Sequence, residues 1–75
     1  MADMVLDAKD LTCPLPILRA KKALKELAPG MILEVQATDP GAPRDFEAFC
    51  RTTGNDLVEQ REDGGIYYFT IRHGG

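Results

Sequence analysis

The order of strand-like and helix-like segments is the feature of this chain that most restricts its fold. An apolar run, MVLDA at residues 4–8, is followed by a helical segment that opens at Thr12 or Cys13 and stops before APG at residues 28–30. Residues 31–38 then alternate apolar and polar side chains, which is typical of a half-buried strand. A strand, a helix and a strand in this order predict a parallel pair joined by a right-handed crossover.

The second half of the chain predicts one more helix and a hairpin. Apolar side chains recur at helical spacing over residues 42–53, and Gly54 is placed to cap that helix at its C-terminus. The runs DLVEQR and IYYFTIR are strand-like, and the Asp63-Gly64-Gly65 sequence between them is a strong hairpin signal. The complete order is therefore β-α-β-α-β-β.

The simplest fold with this order is a two-layer α/β (α+β) sandwich. A four-stranded mixed sheet with both helices on one face buries every apolar stripe. The chain has 75 residues, so we expect one domain spanning residues 1–75. A domain of this size buries only about 60% of the surface that its unfolded chain exposes. Its core is thin, which favours a surface site over a deep substrate pocket.

Composition and charge exclude several classes of function. The net charge of −3 argues against nucleic acid as the default partner, because phosphate binding requires clustered cations. The acidic N-terminus resembles no signal peptide, and no apolar run is long enough to span a bilayer, so we expect a cytoplasmic protein. Two distant cysteines are expected to be thiols in a reducing compartment, and without further ligands they predict no metal site and no cofactor.

The first helix begins at an unusual combination of a cysteine and two prolines. If Cys13 is the N-cap, Pro14 falls at N1 and Pro16 at N3, where a missing N–H costs nothing. The partial positive charge of the helix N-terminus then predicts a lowered pKa for Cys13, with the Leu15 N–H as the best donor to a thiolate or persulfide anion. If Thr12 is the cap, the geometry shifts by one residue. Serine, threonine or aspartate would cap better, so the pattern favours a reactive sulfur.

The two faces of the first helix differ in chemistry. At 100° per residue, the predicted core stripe comprises Ile17, Ala20, Leu24 and Leu27. The opposite face combines apolar and basic side chains, namely Leu15, Leu18, Arg19, Lys22 and Lys25. An apolar centre with a charged rim is typical of a protein-docking surface, although a solvated helix face with incidental leucines is the alternative. Lys21 and Lys22 lie about two turns from the cysteine, which is too far to activate it and suits partner recognition.

These motifs resemble those of the TusA/SirA-like sulfur-carrier family over essentially the whole chain. Cys13-Pro14-Leu15-Pro16 matches the Cys-Pro-x-Pro motif of the family at the start of its first helix. Further matches are the basic pair Lys21-Lys22, the Asp39-Pro40 turn, Arg44-Asp45, Phe49-Cys50 and the C-terminal YYFTIRHGG. The family fold has the same β-α-β-α-β-β order.

The resemblance implies a sulfurtransferase-type persulfide carrier rather than a true enzyme. Cys13, shaped by Pro14 and Pro16, would receive sulfane sulfur from a cysteine desulfurase or rhodanese-type donor and pass it to an acceptor, often of the DsrE type. Lys21, Lys22 and Arg44 would be docking residues, with Asp39 near the same end. Members of the family serve tRNA thiolation, sulfur oxidation and molybdenum-cofactor sulfuration. Leu15 stands where some members, including those in tRNA thiolation, carry an acid.

Other interpretations of the sequence predict different behaviour. A thiol redox protein would need a resolving cysteine, which the Cys-x-x-Cys spacing would provide and this chain lacks. A regulatory or RNA-binding module would use the basic helix, but no aromatic residue for base stacking accompanies it. The terminal Gly74-Gly75 suggests thiocarboxylate chemistry, which belongs to a different fold. Cys50 lies on an apolar stripe and is expected to be inert. We expect a monomer with no direct nucleic-acid or membrane partner.

Overall fold

The computed structural model describes residues 2–74 of the chain. Six elements follow one another in the predicted order, namely β1 (Met4–Ala8), α1 (Leu15–Lys25), β2 (Ile32–Ala37), α2 (Ala42–Thr53), β3 (Asp56–Asp63) and β4 (Ile66–Arg72). No helix within these described residues is long and apolar enough to cross a bilayer. Gly75, the last residue of the terminal diglycine, lies outside the described residues.

The four strands form one mixed sheet in the order β1-β2-β4-β3. β1 and β2 pair in parallel, with Ala8 opposite Ala37 at their carboxyl ends, and the other two pairs are antiparallel. A two-residue turn at Gly64 and Gly65 joins β3 to β4, and both glycines have positive φ angles of 60° and 83°. Such a turn requires left-handed backbone at both positions, which glycine adopts without a steric penalty.

Both helices cover the same face of the sheet, as predicted, and the core lies between the two layers. The largest side chains with no exposed surface are Phe46 of α2, Phe69 and Ile71 of β4, and Leu33 and Val35 of β2. The Phe46 and Phe69 rings stack with centroids 4.6 Å apart. Alternation along the strands turns the intervening side chains toward the helix-free face, where solvent reaches the sheet.

The helix bounds agree with the sequence at α2 and differ at α1. α2 covers the predicted residues and ends at Gly54, whose φ of 79° is the expected left-handed cap. α1 begins at Leu15 with Pro14 as its N-cap, so the predicted assignment of Cys13 as the N-cap is wrong by one residue. The second proline therefore occupies N2, and Pro16 is buried against the core. Its ring contributes to packing as well as to the start of the helix.

Candidate functional site

The topology of the sheet brings the first cysteine close to the start of the second helix. Cys13 follows β1 and Asp39 follows β2, and these two strands are parallel neighbours in register. Parallel strands end at the same edge of a sheet, and residues just beyond their carboxyl ends gather there. Cys13 accordingly lines an open depression together with residues of the β2–α2 turn and the first turn of α2, namely Pro40, Gly41, Pro43, Arg44 and Asp45.

The backbone around Cys13 leaves its sulfur exposed. The Leu15 N–H donates to the Thr12 carbonyl oxygen at 2.8 Å, and the Leu18 N–H donates to the Pro14 carbonyl oxygen at 3.1 Å. The Leu15 N–H, expected from the sequence to meet a thiolate, is therefore occupied by the backbone. The start of α1 fixes the position of Cys13 without donating a hydrogen bond from this group to the sulfur.

The electrostatic environment of Cys13 differs from the one expected at a helix N-terminus. A hydrogen bond to the Asp45 carboxylate is the main cause of a raised pKa for the Cys13 thiol, to which desolvation and the negative charges of Asp45 and Asp39 add. A carboxylate stabilises the protonated thiol and opposes the thiolate. The predicted lowering of the pKa of Cys13 is thus wrong, because the acids of the second helix and its preceding turn favour the protonated thiol.

A glycine lies between the two acids. A Cβ added to Gly41, the N-cap of α2, would lie 3.2 Å from Asp39 Oδ2 and 3.7 Å from Asp45 Oδ2. Both carboxylates therefore converge on one side of the depression. Asp45 is in the first turn of α2, where a negative charge suits the helix dipole. The missing Cβ of Gly41 leaves the space into which the Asp39 carboxylate reaches.

The outer face of α1 forms a second surface. Leu15 is 42% exposed and Leu18 is 54% exposed. Together with Arg19 and Lys22 they line an open depression. Four of the five residues predicted for this face therefore meet. We call these four residues the α1 patch.

The remaining predicted docking cations lie elsewhere. Lys21 and Lys25 line a groove between the C-terminal halves of α1 and α2, whose floor includes Leu24 and Phe49. Lys25 was predicted beside Leu15 and Leu18, but it lines this groove instead. Arg44 lines the Cys13 depression, and Asp39 contributes to the field there. The predicted docking set is thus divided among three surfaces.

Cys50 lies in the opposite environment. It is buried on the inner face of α2, 4% exposed. Desolvation, with a smaller contribution from the charge of Asp56, raises the pKa of this thiol to about 11. A buried, protonated thiol is a poor nucleophile, which agrees with the inert role expected from the sequence. Both cysteines are free.

Sequence reasoning included Asp45 only in the Arg44-Asp45 match to the family and so missed its place beside Cys13 in this depression. The signal that would have found it is the parallel pairing of the first two strands, which places the turns after both strands at one edge. No cluster of three or more potential metal ligands occurs among residues 2–74. The depression presents an exposed thiol together with the Asp45 carboxylate and the Arg44 guanidinium, and the Asp39 carboxylate lies beside Gly41 at the same edge.

The chain is similar to known proteins over most of its length. The chain is 54% identical over 70 residues to the sulfur carrier protein TusA of Allochromatium vinosum, covering 93% of this chain and 92% of that protein. It is 46% identical over 70 residues to the sulfur carrier protein TusA of Pseudomonas aeruginosa, covering 93% and 89%. The crystal structure of the SirA-like protein from Desulfitobacterium hafniense superposes with a TM-score of 0.83 at 30% identity, covering 96% of this chain and 99% of that chain. The family model for sulfurtransferase TusA matches residues 4–73, and the chain belongs to this family.

Proposed function

We propose that this protein is a sulfur carrier that transports sulfane sulfur as a persulfide on Cys13. The observation that carries the proposal is the exposed thiol of Cys13 in the Cys-Pro-Leu-Pro motif, at the rim of an open depression. Membership of the TusA family and the sulfur carriers among its relatives support it. The two free thiols suit the reducing cytoplasm, the compartment that we propose for the protein.

The proposed chemistry is a sulfur transfer without net oxidation. Cys13 loses its proton, and its sulfur attacks the outer sulfur of a protein persulfide on a cysteine desulfurase or rhodanese-type donor. The S–S bond of the donor breaks as the Cys13 persulfide forms, and the departing donor thiolate takes up a proton. In the second transfer, a thiolate of the acceptor attacks the outer sulfur of the Cys13 persulfide, and Cys13 leaves as a thiolate and takes up a proton. We propose that this acceptor is of the DsrE type. An exposed sulfur can meet both partners without a substrate cavity.

The α1 patch is the surface that we propose for partner docking. Its two leucines expose apolar area close in sequence to Cys13, and Arg19 and Lys22 border them with positive charge. A partner with acidic residues around its own active cysteine would be steered to this surface. Arg44 and Asp39 extend the contact on the α2 side. The groove with Lys21 and Lys25 is farther from Cys13 along α1 and is a secondary contact.

The direct test is whole-protein mass spectrometry after incubation with a cysteine desulfurase and cysteine. We expect the mass to rise by one sulfur atom and to return to its initial value after reduction. Cys13→Ser should abolish the gain, because the accepting sulfur is absent. The matched variant Cys50→Ser should retain it, since the buried thiol cannot reach a donor. A persulfide mapped mainly to Cys50, or loading that survives Cys13→Ser, would contradict the assignment.

A further inference from the structure

The large apolar side chains that stay exposed within residues 2–74 fall on two opposite sides of the molecule. Leu15 and Leu18 belong to the α1 patch, on the helix layer. Val5 of β1 and Val58 of β3 are the other two, and both are more than half exposed. Apolar area that gathers in two places, rimmed by polar residues, indicates contact surfaces.

The register of the strands places the two valines in one row across the sheet. Val5 pairs with Glu34 of β2, and Glu34 pairs with Thr70 of β4. Thr70 pairs with Glu59 of β3, and Val58 precedes Glu59 at an irregularity in that pairing. The row alternates with the buried residues of β2 and β4, so it lies on the helix-free face. We call Val5, Glu34, Val58 and Glu59 the sheet-face patch.

The charges beside the two pairs of apolar side chains have opposite sign. Arg19 and Lys22 border the leucines of the α1 patch. Glu34 and Glu59 line an open depression that also includes one of the valines. None of these four charged side chains is in an ion pair within residues 2–74. Each patch therefore keeps two charges for a contact outside the molecule.

The cations of the helix-free face do not neutralise the sheet-face patch. Lys9 pairs with Asp7 at 2.9 Å, and Arg72 pairs with Asp56 at 2.6 Å. The guanidinium of Arg61 lies over a tyrosine ring, 4.0 Å from its centre. The acids of the patch are thus matched in charge by the α1 patch better than by their own neighbours.

We propose that the α1 patch of one copy of this chain binds the sheet-face patch of a second copy, head to tail. Arg19 and Lys22 would face Glu34 and Glu59, and the leucines would lie against the valines. The two patches are on opposite sides of the molecule, so two copies cannot make both contacts with each other at once. Each contact leaves one free patch at either end, and assembly continues past the dimer into a larger ring or an open chain.

The contact is small, which determines the concentrations at which it forms. Two apolar side chains and two charges on each side are few, and interfaces that bury less than about 1,200 Å² are weak and transient. The monomer expected from the sequence is then the dilute state, and assembly belongs to the millimolar range. The contact also covers the surface proposed for partner docking, so assembled copies are withheld from partners. Its existence does not depend on the proposed function.

The first test uses the parent protein alone, without a sulfur donor or acceptor. Sedimentation equilibrium from micromolar to millimolar protein should show a mass that rises with concentration and passes that of a dimer. Added salt should weaken the association, because exposed charges are screened. A monomer mass at millimolar protein, a plateau at the dimer, or association that is insensitive to salt would each overturn the proposal.

The second test reverses the charges of one patch at a time. Arg19→Glu with Lys22→Glu makes both patches acidic, and Glu34→Lys with Glu59→Lys makes both basic. Like charges would then meet across the contact, so each double variant should associate about tenfold or more weakly than the parent. A mixture of the two double variants should recover association, because every acidic patch then finds a basic one.

A matched control separates the position of the charges from the net charge. Glu47→Lys with Glu62→Lys changes the net charge as much as the sheet-face variant does, at exposed positions outside both patches. This control should associate like the parent. Equal loss of association in the control would show an effect of net charge alone. Association of the sheet-face variant at the strength of the parent, or no recovery on mixing, would show that the second copy does not bind there.

Discussion

The two cysteines of this chain occupy regions with opposite properties. Cys13 is exposed, on irregular backbone between β1 and α1, and it lines a depression that contains the charged side chains of Arg44 and Asp45. Cys50 lies between α2 and the sheet, in the layer where Phe46 and Phe69 stack. In both places the pKa of the thiol is raised, by carboxylates at Cys13 and by desolvation at Cys50. The same direction of shift thus has different causes, and only the first can be relieved by a partner at the surface.

The contrast implies that the residues around Cys13 determine reactivity, whereas those around Cys50 determine stability. Side chains around Cys13 make few buried contacts, so their replacement should change sulfur transfer with little effect on folding. Side chains around Cys50 are the core, so their replacement should change stability and affect transfer only through loss of the fold. A domain of this size is expected to have a free energy of unfolding of only about 4–11 kcal/mol, which makes the second class of substitution severe.

The largest expected effect is therefore on stability, from Phe46→Ala. Phe46 has no exposed surface, stacks on Phe69 and meets Phe49 edge to face with centroids 6.4 Å apart. Removing a buried phenyl ring costs about 3–5 kcal/mol. Urea unfolding followed by circular dichroism should show this loss. Phe46→Leu is the milder control if the alanine variant does not fold.

While the Phe46 variant remains folded, iodoacetamide should alkylate its Cys13 at the same rate as Cys13 of the parent protein. Unequal rates in conditions where both proteins are native would show that the core controls the site, and the separation of reactivity from stability would be wrong.

The second prediction concerns the pH dependence of stability at Cys50. Its pKa is raised to about 11 from an ordinary value of 9.0, so the folded state retains the proton that the unfolded chain releases. The stabilisation is complete below pH 9 and is lost as the pH rises through about 11. The expected loss is about 3 kcal/mol at most, since the pKa rises from 9.0 to about 11 and one pKa unit corresponds to about 1.4 kcal/mol.

The measurement is the free energy of unfolding between pH 8 and 11 for the parent and for Cys50→Ala. The alanine variant begins from a lower value because of its cavity, and the comparison is between slopes. A parent that is as insensitive to alkaline pH as the variant would show that the thiol of Cys50 is better solvated than its burial indicates.

How much the sequence reveals also differs between the two regions. The buried region follows from periodicity. The apolar spacing that predicted α2 and its stripe is a local pattern that the fold needs in order to bury Phe46 and Cys50. The element order and the hairpin followed from equally local signals.

The surroundings of Cys13 depend on residues distant in sequence, and local patterns did not reveal them. The motif identified the reactive residue, but the prediction of a lowered pKa considered only the helix that follows it. Asp45 is 32 positions further along and lines the same depression as Cys13 because β1 and β2 end side by side. The start of α1 was misplaced by one residue because the local signals, Thr12, Cys13 and Pro14, allow several caps.

The smallest effect on stability is expected in the α1 patch, for Leu18→Glu. Leu18 is 54% exposed, so the substitution should change the free energy of unfolding by no more than about 0.5 kcal/mol. The added charge would lie beside Arg19 and Lys22 and would oppose an acidic partner, so sulfur delivery to an acceptor should slow severalfold. Val58→Glu is the matched control, because Val58 is 53% exposed on β3, away from Cys13. The measurements are the rate of sulfur transfer and the thermal melting curve of each variant.

Equal slowing of transfer in the two variants would point to a general effect of added charge, and a Leu18→Glu protein that does not fold would place Leu18 in the core. Slowing by Leu18→Glu alone, with both melts near that of the parent, would locate docking at the α1 patch and sharpen the separation of the reacting edge from the core around Cys50.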